Sequence, residues 1–309
     1  MLRKWAATKN GASLSQPMDI KGFFRSLSWL VVLNVLIKPL WVFGIDRKVQ
    51  LAVGHERYGT YFAILNLAII LSIIADAGLT NMLNRRLALQ QRISVRRLFG
   101  IKCALSATYL AVLCGVAWAS GLEAWRLVLL TGTLQVAASF LLLFRNMITG
   151  YQQFRADAWL SVTDKTLTVL ICAPLLYLPF ATHFSLEAFL WIQLGSTVLA
   201  IAVAAIIAAR HHQAPAERTG YADLFRQSAP FVLIILLMSM HTRLDAFLLE
   251  RLHPSGALQA GIYAAAYRLL DAGNTVGYMT AAFLVPFAAR NLAQPAVIDA
   301  TALRLRHGL

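Results

Sequence analysis

The stretch Ser228–Arg251, SAPFVLIILLMSMHTRLDAFLLER, is long and apolar enough to cross a bilayer, yet it carries His241, Arg243 and Asp245 within the run. Arg243 lies about 15 residues in, roughly 22 Å along a helix at 1.5 Å per residue. A charge at that depth is costly and faces a bundle interior or a water-filled cavity. Arg243 and Asp245 are two residues apart and point to different sides of a helix, whereas His241 and Asp245 share a face. Arg243 therefore needs a partner from another helix or from a ligand. The next apolar run contains GIYAAAYRLLDAGN (Gly261–Asn274) and brings Arg268 and Asp271 to similar depth. The two runs predict helices that line a charged cavity.

The rest of the chain has the same character. Of 309 residues, 59% are hydrophobic and only 14% charged, against about 25% charged in soluble domains. The charges cluster between continuous apolar runs, which predicts an all-α polytopic membrane protein and argues against a β-barrel. The net charge of +14 would suggest nucleic acid in a soluble protein. Here basic loops that set orientation account for it, and no nucleic-acid partner is expected. Cys103, Cys114 and Cys172 fall inside apolar runs without metal-ligand spacing and read as small core residues. Met1–Ser26 has no apolar signal-peptide core.

Eight spans are expected: Ser28–Ile45, Thr60–Leu79, Ile101–Ser120, Leu127–Phe144, Ser161–Ala181, Leu186–Ala209, Ser228–Leu249 and Ala260–Phe287. Residues 1–27 then form a cytoplasmic segment, 28–210 a six-helix bundle, 211–227 a polar, proline-containing inner loop, and 228–309 the first two helices of a second bundle. With the N-terminus inside, the inner segments take most of the arginines and lysines; the outer loops keep Arg47, Lys48, Arg57, Arg126 and Arg251. Trp29, Trp41, Trp118, Trp125, Trp159 and Trp191 lie near span ends, as an interfacial aromatic belt would. Ser196, Ala200, Ala204 and Ala208 make a small-residue ridge suited to close helix packing.

A weak internal repeat links the two ends of the chain. Asp46 matches Asp245; Gly59, Tyr61 and Ala63 match Gly261, Tyr263 and Ala265; Arg86 matches Arg290. Repeats separated by six helices share one orientation in the membrane, the parallel arrangement that places transporter sites at the repeat interface. Only two helices of the second copy precede Leu309, so the chain is expected to be a fragment or natural truncation of a protein with at least twelve helices.

These motifs carry a resemblance. ERYGTYFAILNLAIILSIIADAGLTNMLNRRLA (Glu56–Ala88), MSMHTRLDAFLLE (Met238–Glu250), GIYAAAYRLLDAGN, and SVTDKTLTVLIC (Ser161–Cys172) resemble the polysaccharide flippases of the multidrug, oligosaccharidyl-lipid and polysaccharide exporter superfamily. The resemblance implies a bacterial inner-membrane protein that moves a polyprenyl-pyrophosphate-linked oligosaccharide from the cytoplasmic to the outer leaflet. It also implies two six-helix bundles around a cationic cavity, with Lys38, Arg243 and Arg268 as the cations, and no cofactor. Membrane lipids, and glycosyltransferases or a polymerase of the same pathway, are the expected partners.

Guanidinium groups suit phosphate because they are planar and donate several bonds. Lys38 precedes Pro39, where a helix kinks or frees a carbonyl. Of the acids, Asp245 is the better candidate for ion coupling; Asp76 could couple a cation or proton but more readily caps the helix end or binds a neighbouring loop arginine, and Asp271 can pair with Arg268 three residues before it. The bland alternative is that the cations only hold helices together. No catalytic constellation, metal site or GxxxxGK[ST] phosphate loop stands out, so an enzyme is not expected. HQAPAE (His212–Glu217) is a chance-level acyltransferase spacing. A multidrug or cation exporter of the same superfamily, and a non-transporting scaffold for glycan-assembly enzymes, remain the alternatives.

Overall fold

A computed structural model describes residues 29, 32–80, 82–83, 95–151, 153–177, 184–210 and 221–290, and all regular structure among them is helical. Helix α1 runs over residues 32–53 in three registers: α over 32–39, π over Leu40–Asp46, and α again over Arg47–Val53. Then follow α2 (His55–Asp76), α3 (Val95–Ala119), α4 (Trp125–Gly150), α5 (Phe154–Tyr177), α6 (Leu186–Ala209), α7 (Tyr221–Leu252) and α8 (Gly256–Arg290). Among the described residues, α2, α4, α5, α6 and the Arg97–Ala119 part of α3 are long and apolar enough to cross a membrane. This is a multi-pass helical membrane protein.

Of the boundaries that differ from the expected ones, three have identifiable reasons. The first helix does not stop at Ile45. RKVQLAV contains no breaker, so the helix continues to Gly54, which turns the chain at φ +86°. The seventh helix starts at Tyr221, inside the loop expected over 211–227, because YADLFRQ is free of glycine and proline. The fifth helix starts at Phe154 rather than Ser161, since Asp157 in its first turn bonds Arg145 of α4. The expected segment 1–27, Arg86 of the repeat, His212–Glu217 and the end of the chain from residue 291 lie outside the described residues.

Pro39 marks the register change in α1. Proline lacks an N–H and crowds the carbonyl four residues back; immediately after it the helix widens into the π segment. Carbonyls in this segment bond side chains of other helices: Gly44 O accepts from Tyr177 Oη at 2.9 Å, and Asp46 O from Arg268 Nη2 at 3.2 Å.

Helix α2 is the common element of the packing. It lies against α3 and α4 and also against α7 and α8, while α4 packs on α6 and α6 on α5. One apolar core contains Tyr61, Ile64 and Leu67 of α2, Tyr109 and Leu113 of α3, Phe189 of α6, and Ala264 and Tyr267 of α8. A second joins Leu141 and Met147 of α4 to Ala200, Ala204 and Ala208 of α6. Ser196 and these three alanines are all buried, as a close-packing ridge requires.

At the crossing of α2 and α8 the backbones touch. A Cβ on Gly59 would sit 1.8 Å from the Ala257 carbonyl oxygen, and one on Gly261 would sit 2.0 Å from the His55 carbonyl oxygen. His55 and Ala257 each stand four residues before their helix's glycine. The two contacts are therefore mates of each other under the internal repeat.

Candidate functional site

Polar side chains flank the crossing and repeat its symmetry. Asn66 and Arg268 both stand seven residues after the paired glycines, on α2 and α8. Each bonds the first helix of the opposite repeat. Arg268 Nε donates to Asp46 Oδ2 of α1 at 2.8 Å, and Arg243 Nη1 of α7 donates to Asn66 Oδ1 at 3.3 Å. Asn66 can accept because its own Nδ2 donates back to Phe62 O at 2.7 Å, which fixes the amide.

The two arginines differ in how far they are satisfied. Arg268 is buried and fully engaged: besides Asp46 it donates from Nη1 to Gln50 Oε1 and lies 5.0 Å over the Tyr58 ring. Tyr58 Oη donates to both Asp46 oxygens at 2.8 Å, and Gln50 Nε2 donates to Gly261 O at 2.6 Å. The carboxylate, the guanidinium and the crossing glycine thus form one network. Arg243 is looser. Its Nη2 lies 3.6 Å from Asp271 Oδ1, an ion pair without hydrogen-bond contact, and its guanidinium lies 5.3 Å over the Tyr267 ring. The side chains of that pair are 24% and 40% exposed, against 8% and 10% for Arg268 and Asp46.

The expected partners are thereby exchanged. Arg268 reaches across the repeat to Asp46 instead of pairing with Asp271 on its own helix, and Asp271 meets Arg243. Asp245 accepts from Tyr263 Oη of α8, so the acid that repeats Asp46 also takes a tyrosine hydroxyl. Asp76 is not at this site. At the far end of α2 it bonds the Thr80 hydroxyl and receives Lys102 Nζ of α3 at 2.6 Å. Lys38 does not join either arginine: the charges that act on it are Arg145, Asp164 and Lys165.

Gln50, Asn66 and Lys102 were not singled out from sequence, and Asp46 only as the repeat mate of Asp245. Asp46 and Gln50 were expected in a loop, and Lys102 beside a basic one. Asn66 carries no charge, but its match to Arg268 in the repeat was readable from the glycine spacing. Of the expected tryptophan belt, Trp29, Trp118, Trp125, Trp159 and Trp191 are exposed, whereas Trp41 is turned inward beneath Lys165. A cleft of about 620 Å³ at the Gly54 break is lined by His55, Glu56, Arg57 and Thr60; it touches none of the expected site residues. Among the described residues no cluster of three metal-ligating side chains forms.

The arrangement is that of a helical membrane protein with polar chemistry where α1, α2, α7 and α8 meet. The chain belongs to the family described as polysaccharide biosynthesis protein, whose pattern matches residues 25–291, in keeping with the flippase motifs above. No curated protein and no solved structure matches it significantly.

Proposed function

We propose that this chain translocates a polyprenyl-pyrophosphate-linked oligosaccharide across the bacterial inner membrane, with Arg243 as the contact for phosphate. The observation behind this reading is the contrast between the two arginines. Arg268 has a buried carboxylate, an amide oxygen and a carbonyl around it. Arg243 is oriented by Asn66 and Tyr267 but balanced by the half-buried Asp271 at 3.6 Å. A phosphate oxygen can replace such a partner and gain charge-assisted bonds. Eight spans, a cytoplasmic N-terminus and the division into bundles at residues 211–227 belong to the same reading, supported by the distribution of arginine and lysine.

The test is depletion of the gene in its host, followed by mass spectrometry of polyprenyl-linked sugars with leaflet-selective labelling. Accumulation of one lipid-linked oligosaccharide on the cytoplasmic side is expected, relieved by the wild-type chain but not by Arg243→Gln at equal protein level. No accumulation would discard translocation in favour of an exporter of another substrate or a scaffold for glycan-assembly enzymes.

A further inference from the structure

His55 follows the Gly54 break, exposed on the cleft there, and its ring meets the buried Gln50 of α1. Gln50 bonds three groups. Its Oε1 accepts from Arg268 Nη1, and its Nε2 donates to Gly261 O at 2.6 Å and lies 3.2 Å from His55 Nδ1. Two of these partners fix the amide. A guanidinium only donates and a carbonyl only accepts, so the oxygen of Gln50 faces Arg268 and its nitrogen faces Gly261. The second hydrogen on Nε2 is then directed at His55, and Nδ1 must present a lone pair. The network therefore selects the neutral ring with its proton on Nε2.

An imidazolium is a donor at both nitrogens. A proton on Nδ1 would meet the N–H of Gln50, and the bond cannot survive it. The amide cannot turn to offer its oxygen, because Arg268 and Gly261 hold it. The exposed ring swings away instead and leaves Gln50 with a buried N–H lacking an acceptor, a costly state. That loss falls at the α2–α8 crossing. The carbonyl of His55 is the one pressed against Gly261, and Gly261 O is the other acceptor of the same amide. The charged groups around the ring are Glu56 and Arg57 in the cleft and, behind Gln50, Asp46 and Arg268. Glu187 of α6 holds Arg57 at 2.9 Å; Arg47 and Lys48 of α1 are exposed, Lys48 lying 5.0 Å over the Tyr177 ring.

We propose that His55 is a proton-operated latch. Neutral, it completes the Gln50 network where α1, α2 and α8 meet; protonated, it releases that bond and loosens the crossing. Histidine is the side chain that ordinarily changes charge between about pH 5 and 8, and the cleft keeps this ring in contact with solvent. The latch stands whatever the chain carries. With the N-terminus inside, the cleft opens on the outer side and the latch responds to acidity there; that direction rests on the proposed topology.

The test uses the full chain in phosphatidylcholine nanodiscs at about pH 8 and about pH 5.5, on either side of the histidine range. Hydrogen exchange, corrected for the intrinsic effect of pH, is followed in Arg47–Val53 and in the first two turns of α8. Nitrogen-15 histidine spectra are recorded on the same samples. At the higher pH the His55 signals, assigned by their absence from His55→Asn, should show Nε2 protonated and Nδ1 bare. At the lower pH exchange in both segments should rise about fivefold, the scale of one lost hydrogen bond. In His55→Asn an amide oxygen close to the position of Nδ1 accepts from Gln50 at either pH, so exchange should stay flat. His55→Phe has no acceptor and should exchange fast at both. The proposal is overturned if Nδ1 carries the proton at the higher pH, or if acid leaves wild-type exchange unchanged. It is equally overturned if His55→Asn responds to acid as wild type does, or if His55→Phe is as protected as neutral wild type. Nanodiscs expose both faces, so failure of the leaflet-labelling experiment would discard translocation and leave this result standing.

Discussion

Arg243 and Arg268 carry the same group in different surroundings, and substitutions should separate them. Asp46→Ala leaves the Arg268 guanidinium buried with its counter-charge removed. Breaking a buried pair from one side costs about 3–5 kcal/mol, so a marked drop in thermal stability in detergent is expected. Replacing both partners, Asp46→Leu with Arg268→Met, should recover most of that loss, because apolar pairs of similar size often substitute for buried ion pairs. Glycan export by the double variant reports whether Arg268 holds helices or also meets substrate; as all its bonded nitrogens are engaged in the fold, export should persist. Arg243→Gln is the converse case. Its pair is half exposed and solvent-screened, so stability should change by less than about 1 kcal/mol while export is lost.

Among the elements, α2 and α8 have the closest contact, and its glycines are the sensitive positions. Gly59→Ala or Gly261→Ala places a methyl within 2.0 Å of a backbone carbonyl oxygen, which no side-chain adjustment relieves. The helices must part, taking the Gln50–Gly261 bond with them. Both variants should melt at clearly lower temperature than wild type. Gly115→Ala, in α3 with nothing within 4 Å of its Cβ, should be neutral or raise stability by up to about 1 kcal/mol through helix propensity. The pairing of these glycines was legible in the sequence, because GTYFA and GIYAA keep their spacing. What they touch was not legible: a bare Cα carries no chemical label, and the contact is made by carbonyls. The extension of α1 was missed for a related reason. Arg47 and Lys48 read as loop residues by charge, although a helix can carry them exposed while burying Val49 and Gln50 between them and the core.

For the whole molecule, the repeat converts two distant sequence segments into one interface. The charges of α7 and α8 announced a polar cavity from sequence, and Arg243 does find partners on other helices. Which acid meets which base could not be read, because that depends on how the repeats dock rather than on spacing along one helix. The same docking leaves Lys38 among the charges of α4 and α5 instead of beside the arginines. Orientation is open to direct measurement. In a cysteine-free background, Arg47→Cys should react with a membrane-impermeant thiol reagent in intact cells once the outer envelope is opened, and Ala216→Cys only after the inner membrane is permeabilised. The reverse pattern would invert the assigned topology.

The α2–α8 crossing is a bearing. Two bare Cα atoms pressed against two carbonyl oxygens prevent closer approach, and side-chain contacts such as the Phe62–Tyr267 ring pair join the two helices further along. Distance between the halves is fixed at this point, and their angle is left to contacts further along. Asn66 and Arg268 lie seven residues beyond it, about 10 Å along the helices, so a turn of ten degrees shifts them by about 2 Å. That exceeds the tolerance of a hydrogen bond. The bonds Arg268–Asp46 and Arg243–Asn66 therefore act as two detents on opposite sides of one pivot, and each holds the angle only while it is made.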